Sequence, residues 1–170
     1  MPTAKTAFTH RRIALPALAA LAIVLPLTAC LSEGEKPTPE PIRYILGNDD
    51  GVIFATGEIV RGASLQSVDI AAFKNGNSSV DLKAGVESGT TSHRPMKVFK
   101  TAGGVQETYE TLDHVPHVKP TDKDNGAYAA KVKAGNAMVV TNNVSEGWTT
   151  VRVIAVASQA QTVEIEFRTF

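Results

Sequence analysis

Three histidines lie in the chain after residue 41, and neutral imidazole is a good ligand for zinc or copper. His114 and His117 stand close together in one proline-containing segment, and His93 stands in another. The spacing lacks the helix of an HExxH zinc site, and no cysteine or glutamate occurs at a matching interval. A metal site therefore requires the three histidines to converge in the fold. The spacing favours the alternative, three exposed loop histidines that never meet.

A second group of side chains could offer oxygen ligands to calcium: Asp122, Asp124 and Asn125. An EF-hand loop counted from Asp122 requires glycine at its sixth position and glutamate at its twelfth. This chain has Ala127 and Lys133 there, which excludes an EF-hand. A hairpin turn capped by its own polar side chains is the interpretation that the pattern favours.

The sequence contains no constellation typical of an enzyme. No Gly-x-Ser-x-Gly motif is present, and no cysteine follows position 30 to act as a nucleophile. Ser92 and His93 are adjacent in sequence, which is not the geometry of a catalytic triad. We therefore expect a non-catalytic protein that needs no cofactor.

The single cysteine, Cys30, stands where an apolar run ends. The run extends from Ile13 to Leu27, which is the length of a signal-peptide core and short for a membrane-spanning helix. Leu27, Thr28 and Ala29 precede the cysteine, and this ending resembles a bacterial lipobox. The resemblance implies cleavage before Cys30 and a covalent lipid on its sulfur.

The flanking residues agree with an exported, lipid-anchored protein. Residues 1–12 carry three basic side chains and no acidic one, as expected of the cytoplasmic end of a signal peptide. The alternatives are an ordinary secretory signal with an incidental cysteine, or an uncleaved membrane anchor. Leu31 after the cysteine, rather than Asp, favours the outer membrane if the organism has two membranes.

Composition limits the partners of the exported part. The chain has 17 basic and 17 acidic residues, and removal of the signal peptide with its three basic residues leaves a formal charge of −3. A slightly acidic chain argues against nucleic acid as a partner. Residues 30–41, the lipidated cysteine and a proline- and glutamate-rich stretch, are predicted to form an extended spacer. Residues 42–170 are long enough for one domain with its own core.

Residues 42–170 have the periodicity of short strands separated by Gly, Asn, Asp and Pro turns, which predicts an antiparallel β-sandwich of about seven to nine strands. The clearest strand is 163–168, where Val163, Ile165 and Phe167 should face the core while the charged residues between them face solvent. Residues 151–156 are apolar on both faces, which predicts a central strand. Residues 52–60 are predicted as one strand with a bulge at Gly57, and residues 107–112 as another strand.

Two stretches together resemble carboxypeptidase-regulatory-like domains, which have a transthyretin-like (prealbumin-like) sandwich. Residues 57–73, GEIVRGASLQSVDIAAF, are similar to the opening hairpin of that family, and residues 121–140, TDKDNGAYAAKVKAGNAMVV, to a later hairpin. Similar hairpins occur in immunoglobulin-like modules. The resemblance implies a structural or binding module without catalytic activity.

These observations predict a membrane-anchored lipoprotein of the cell envelope that presents loops to a protein or glycan partner. The loops expected to do so are 85–95 and 103–120, which a sandwich would display at its ends. The alternative function is metal binding through the histidines or the aspartate-rich turn. Trp148 could stack against a ligand, although its place at the start of an apolar strand favours packing in the core.

Overall fold

The computed structural model describes residues 38–121, 123–124, 126, 128–143 and 145–170. These residues form ten strands and one 3-10 helix, Leu112–His114, and no α-helix. The strands are β1 (Ile42–Leu46), β2 (Gly51–Ile53), β3 (Glu58–Val60), β4 (Ile70–Asn75), β5 (Ser79–Ala84), β6 (Met96–Val98), β7 (Tyr128–Ala129), β8 (Ala137–Thr141), β9 (Trp148–Ala157) and β10 (Thr162–Thr169). The first strand begins where the spacer was predicted to end.

The strands form two antiparallel sheets of five strands each, so the predicted all-β sandwich is confirmed. Sheet A has the order β1-β10-β9-β8-β6, and sheet B has the order β3-β2-β4-β5-β7. The strand count exceeds the predicted seven to nine because four strands, β2, β3, β6 and β7, are only two or three residues long. Strands that short carry almost no alternation, so the sequence does not separate them from turns.

The main core lies between the two sheets and takes apolar side chains from both. Val163, Ile165 and Phe167 of β10 point into it, as their alternation predicts. Phe167 contacts Phe54 and Tyr44, with ring centroids 4.8 and 5.6 Å apart. Leu46, Ile70, Leu82, Met96 and Met138 are the largest other side chains of this core that are fully buried. Burial of such apolar area is the main stabilising contribution to the fold.

Strand β9 lies in the middle of sheet A, and a bulge opposite Glu164 and Ile165 interrupts its alternation. Its pairing with β10 on one side and β8 on the other confirms that it is a central strand. Residues 107–115, which we call the covering segment, pack on the outer face of this sheet. A second, smaller core results, built from Phe99, Leu112, Val115, Ala137 and Val139.

The covering segment overturns the expectation that the charged residues of β10 face solvent. Glu166 and Arg168 lie on the outer face of sheet A, yet they are buried, with exposed fractions of 4% and 6%. Arg152 donates a hydrogen bond to Glu166 at 2.7 Å, and Arg168 donates one to Asp113 of the covering segment at 2.7 Å. The alternation correctly places Glu166 and Arg168 on the face opposite the main core. That face is buried by the covering segment, which is distant in sequence.

The stretch 57–73 does not form the expected hairpin. Strands β3 and β4 each pair with β2 and not with each other. Residues 51–60 are not one strand either, because Gly57 reverses the chain with a φ of 69°. This conformation suits glycine, and it converts the expected bulge into the β2–β3 hairpin.

The stretch 121–140 is not a hairpin either. Strand β7 pairs with β5 in sheet B, whereas β8 pairs with β6 and β9 in sheet A. Gly135, with a φ of 85°, lies in the connection between them. Ala129 and Val132 are buried in the main core, so the connection passes from one sheet to the other across that core.

Two further findings concern the remaining segments. Residues 107–112 do not form the predicted strand. Among the described residues, their one ladder contact is an isolated bridge between Thr108 and Asn136.

Among the described residues, no helix is long and apolar enough to cross a membrane.

Candidate binding cleft

A cleft of about 750 Å³ lies where strand β6 of sheet A and strand β7 of sheet B end. One wall is the hairpin that continues β6, residues 100–106, in which Lys100 and Gln106 form a bridge. The other wall is β7 with the turn that follows it, residues 128–133. The volume falls within the range of about 300–1,000 Å³ that is typical of ligand pockets.

The local sequence explains the backbone conformation of both walls. Gly103 and Gly104 form the tip of the first hairpin, and the φ of 78° at Gly104 is readily adopted by glycine. In the second wall Lys131 has a φ of 48°, which is unusual for a residue with a side chain. The buried carboxylate of Asp81 accepts a hydrogen bond from the backbone N–H of Lys131 at 2.7 Å. This bond holds the turn that presents the lysine.

The cleft is positively charged. Lys100, Lys131 and Lys133 line it and are exposed, and no Asp or Glu occurs among the described residues that line it. Lys100 comes from one wall and the other two lysines from the opposite wall. A concave site with charge of one sign concentrates ligands of the opposite sign, even though residues 30–170 as a whole are slightly acidic.

The two walls are tied together by a side-chain amide. Gln106 Nε2 donates a hydrogen bond to the Ala130 carbonyl oxygen at 2.7 Å. The other amide atom, Oε1, is buried and has no hydrogen-bond partner among the described residues. Asn136 fixes the base of the second wall, since its Oδ1 accepts from the Lys133 N–H at 2.8 Å and its Nδ2 donates to the Glu107 carbonyl oxygen at 3.1 Å.

Two exposed apolar side chains also line the cleft. Tyr128 is 54% exposed and Val105 is 68% exposed. Tyr128 points away from the core because its neighbour on the strand, Ala129, points into it. The cleft therefore combines positive charge with an accessible aromatic ring.

An adjoining depression of about 320 Å³ shares Lys100, Gly126 and Tyr128 with the cleft. Asp124 lies there, where its carboxylate accepts hydrogen bonds from the N–H and hydroxyl of Thr121 at 2.8 and 3.1 Å. Lys97 Nζ is 3.5 Å from the same carboxylate. The hydrogen bond from the Thr121 backbone, followed by weaker effects that include Lys97, lowers the pKa of Asp124.

The aspartate-rich turn predicted as a cation site is only partly within the described residues. Asp122 and Asn125 lie outside them, and Asp124 is engaged with Thr121 and Lys97. The ammonium group of Lys97 beside this carboxylate opposes the binding of a cation there.

The structure does not bring the three predicted histidine ligands together. Among the described residues, which include all three histidines, no group of three or more His, Cys, Asp or Glu side chains could hold a metal ion. His93 Nδ1 lies 2.8 Å from the Ala84 carbonyl oxygen. His114 lies in the 3-10 helix, and His117 contacts the ring of Phe170 edge-on, with centroids 4.8 Å apart. The loop alternative therefore fits their placement.

Trp148 packs mainly as a structural residue. It lies against the second core and stacks on Phe170, with ring centroids 6.2 Å apart and an interplanar angle of 19°. Its indole Nε1 is buried and has no partner among the described side chains and backbone. Half-burial in this cluster leaves the ring poorly placed as an open platform for a ligand.

The covering segment, part of the predicted binding loop 103–120, has a structural role over most of its length. Arg152 Nε donates a hydrogen bond to the Tyr109 carbonyl oxygen at 2.7 Å, and the Tyr109 hydroxyl donates one to Glu107 at 2.6 Å. Burial, together with the nearby Glu107 carboxylate, raises the pKa of Tyr109 to about 12. The first part of that loop instead contributes Gly104, Val105 and Gln106 to one wall of the cleft, and Thr108 of the covering segment also lines the cleft.

Sequence reasoning did not identify the cleft. The alternation of Lys131 and Lys133 with Val132 indicates that both lysines share one face, but nothing in that pattern links them to Lys100. Their convergence depends on the crossing from sheet B to sheet A. The predicted lipidation site, Cys30, and the residues before it, Leu27, Thr28 and Ala29, lie outside the described residues.

Comparisons with known proteins leave the family open, because no family model, no curated protein and no solved structure matches this chain.

Proposed function

We propose that this protein is a non-catalytic binding module of the cell envelope, anchored to a membrane by a lipid on Cys30, and that it holds an anionic partner in the cleft. The observation that supports the binding role is the set of three exposed lysines, from two walls, with no carboxylate among the described lining residues. Such a set attracts a negatively charged ligand and leaves the lysine ammonium groups available to it.

The location is supported by the sequence of residues 1–30, in which a basic end, an apolar run and the lipobox-like Leu-Thr-Ala-Cys follow one another. A multiply acylated cysteine anchors a protein stably, so the domain needs no apolar surface of its own to stay at the membrane. The spacer of residues 31–41 then allows the domain to reach a partner in the envelope.

The location is tested by replacing the lipidated residue. We expect Cys30→Ala to shift the protein from the membrane fraction to the soluble fraction, or to block its maturation, as measured by fractionation and intact mass. Ser32→Ala, two residues further on, is the matched control and should behave as wild type. Unchanged membrane partition and unchanged mass in Cys30→Ala would contradict the lipid anchor.

The binding role is tested with two double variants that remove the same charge. Lys131→Gln/Lys133→Gln removes two cleft lysines, whereas Lys74→Gln/Lys119→Gln removes two exposed lysines that do not line it. We expect the first pair alone to weaken binding of anionic polymers to the mature protein, measured by titration at low salt. An equal loss in both pairs would mean that net charge, and not the cleft, carries the binding.

Metal binding, the alternative function, has no support in the placement of the histidines, and we do not propose it.

A further inference from the structure

The chemistry of the cleft specifies its ligand more narrowly than charge alone. A ligand there meets ammonium groups from both walls and an exposed aromatic ring. The ammonium groups donate hydrogen bonds and favour carboxylate or phosphate oxygens. The aromatic ring sets a different requirement.

Tyr128 provides an apolar face with a polar tip. Its ring is 54% exposed on an edge strand of sheet B, beside the lysines of the second wall. The C–H face of a sugar ring packs on such an aromatic ring, because both surfaces are apolar and flat while their edges remain hydrated.

An acidic peptide strand fits the walls less well. A strand that adds to a sheet edge needs unpaired backbone groups. Here the Thr101 N–H donates to the Val105 carbonyl oxygen at 2.8 Å, Thr108 bridges to Asn136, and the Ala130 carbonyl oxygen accepts from Gln106. These backbone groups are thus occupied, whereas the lysine side chains are available.

We propose that the cleft binds an anionic carbohydrate, that is, sugar rings carrying carboxylate or phosphate groups. This inference rests on the proposed function, that the cleft binds an anion. The lysines take the acidic groups, and Tyr128 packs on a ring face.

The test is calorimetric titration of the mature protein in detergent with four probes. Trigalacturonate carries carboxylates on sugar rings, glucose 1-phosphate carries phosphate on one ring, maltotriose has sugar rings without charge, and poly-L-glutamate has carboxylates without rings. We expect one or both charged sugars to bind about tenfold or more tightly than maltotriose and poly-L-glutamate. The stronger of the two charged sugars identifies carboxylate or phosphate as the acidic group.

Variants assign the binding to the cleft. Lys131→Gln/Lys133→Gln should weaken the preferred sugar about tenfold or more, because it removes two charged donors. Tyr128→Ala should weaken it several-fold, whereas Tyr128→Phe keeps the ring and should stay within about twofold of wild type. Thermal unfolding of each variant checks that the fold is intact.

The outcomes separate this inference from the proposed function. If poly-L-glutamate binds as tightly as the sugars and Tyr128→Ala has no effect, the cleft recognises charge alone, and the carbohydrate inference is wrong while the binding module stands. If no anionic probe binds, both fail. If maltotriose binds as tightly as the charged sugars, the lysines are not the recognition element and the inference is overturned.

Discussion

The outer face of sheet A and the cleft both contain charged side chains. On the outer face these side chains are paired with opposite charges, whereas in the cleft they are exposed lysines without such partners among the described lining residues. On the outer face, Arg152 pairs with Glu166, and Arg168 pairs with Asp113. Three of these four side chains are at most 15% exposed. In the cleft, lysines from both walls are exposed and meet no carboxylate among the described lining residues. Paired, buried charge fixes a segment in place, whereas unpaired charge in a concave site is available to a ligand.

The largest effect that this comparison predicts is on stability at the outer face. Glu166→Ala leaves Arg152 without its acidic partner, although Arg152 is only 15% exposed. Removal of one partner from a buried pair costs about 3–5 kcal/mol, and we expect a loss of about 3 kcal/mol in the free energy of unfolding. Urea unfolding of the purified protein measures the loss.

Glu164→Ala is the matched control, because Glu164 lies on the same strand two residues earlier but is only half-buried. We expect this change to cost less than about 1 kcal/mol, as most substitutions at the surface do. Equal losses in the two variants would show that the buried pair does not fix the covering segment.

The next effect is the pH dependence of the contact between Arg168 and Asp113. The hydrogen bond from Arg168, together with its positive charge, lowers the pKa of Asp113 below its ordinary value. A lowered pKa stabilises the fold above the unfolded value, about 3.9, and that contribution is lost as the pH falls through the folded value. Asp113→Asn removes the titrating group.

We therefore expect wild type to lose more stability than Asp113→Asn between pH 5 and pH 3, measured by urea unfolding at each pH. Both proteins will lose stability in acid because other carboxylates titrate as well. Parallel curves for the two proteins would mean that this ion pair does not contribute.

The smallest predicted effect is the contribution of the cleft lysines to the free energy of unfolding. Lys100→Gln, Lys131→Gln and Lys133→Gln replace exposed side chains, so each should change the free energy of unfolding by less than about 0.5 kcal/mol. The same urea experiment measures it. A loss as large as that of Glu166→Ala would assign these lysines a structural role and would erase the contrast between the two regions.

The comparison also explains why much of the predicted binding loop 103–120 is not an exposed loop; its binding role stays a prediction. Its polar composition suggested a solvent-exposed loop, but Leu112 and Val115 anchor it on the outer face of sheet A. Its residues that line the cleft lie near its start: Gly104, Val105, Gln106 and Thr108. The two apolar side chains bury area that stabilises the contact, which composition alone does not reveal.

The sequence by itself determined the local properties of this chain. Alternation along 163–167 identifies which side chains of β10 enter the core, and the structure confirms this. Apolar residues on both faces of 151–156 predict a central strand, which β9 is. These predictions succeed because side chains alternate along any strand, whatever its partner.

Only the tertiary structure decided which strands are neighbours and what covers them. Gly57 and Gly135 both allow a reversal, yet one closes a hairpin within sheet B and the other lies where the chain passes to sheet A. The burial of Glu166 depends on a segment more than 50 residues away. The cleft depends on Lys100, which follows a strand of sheet A, and Lys131, which follows a strand of sheet B, lining the same concavity. Such long-range contacts depend on how two faces pack, and a local pattern of side chains does not encode that.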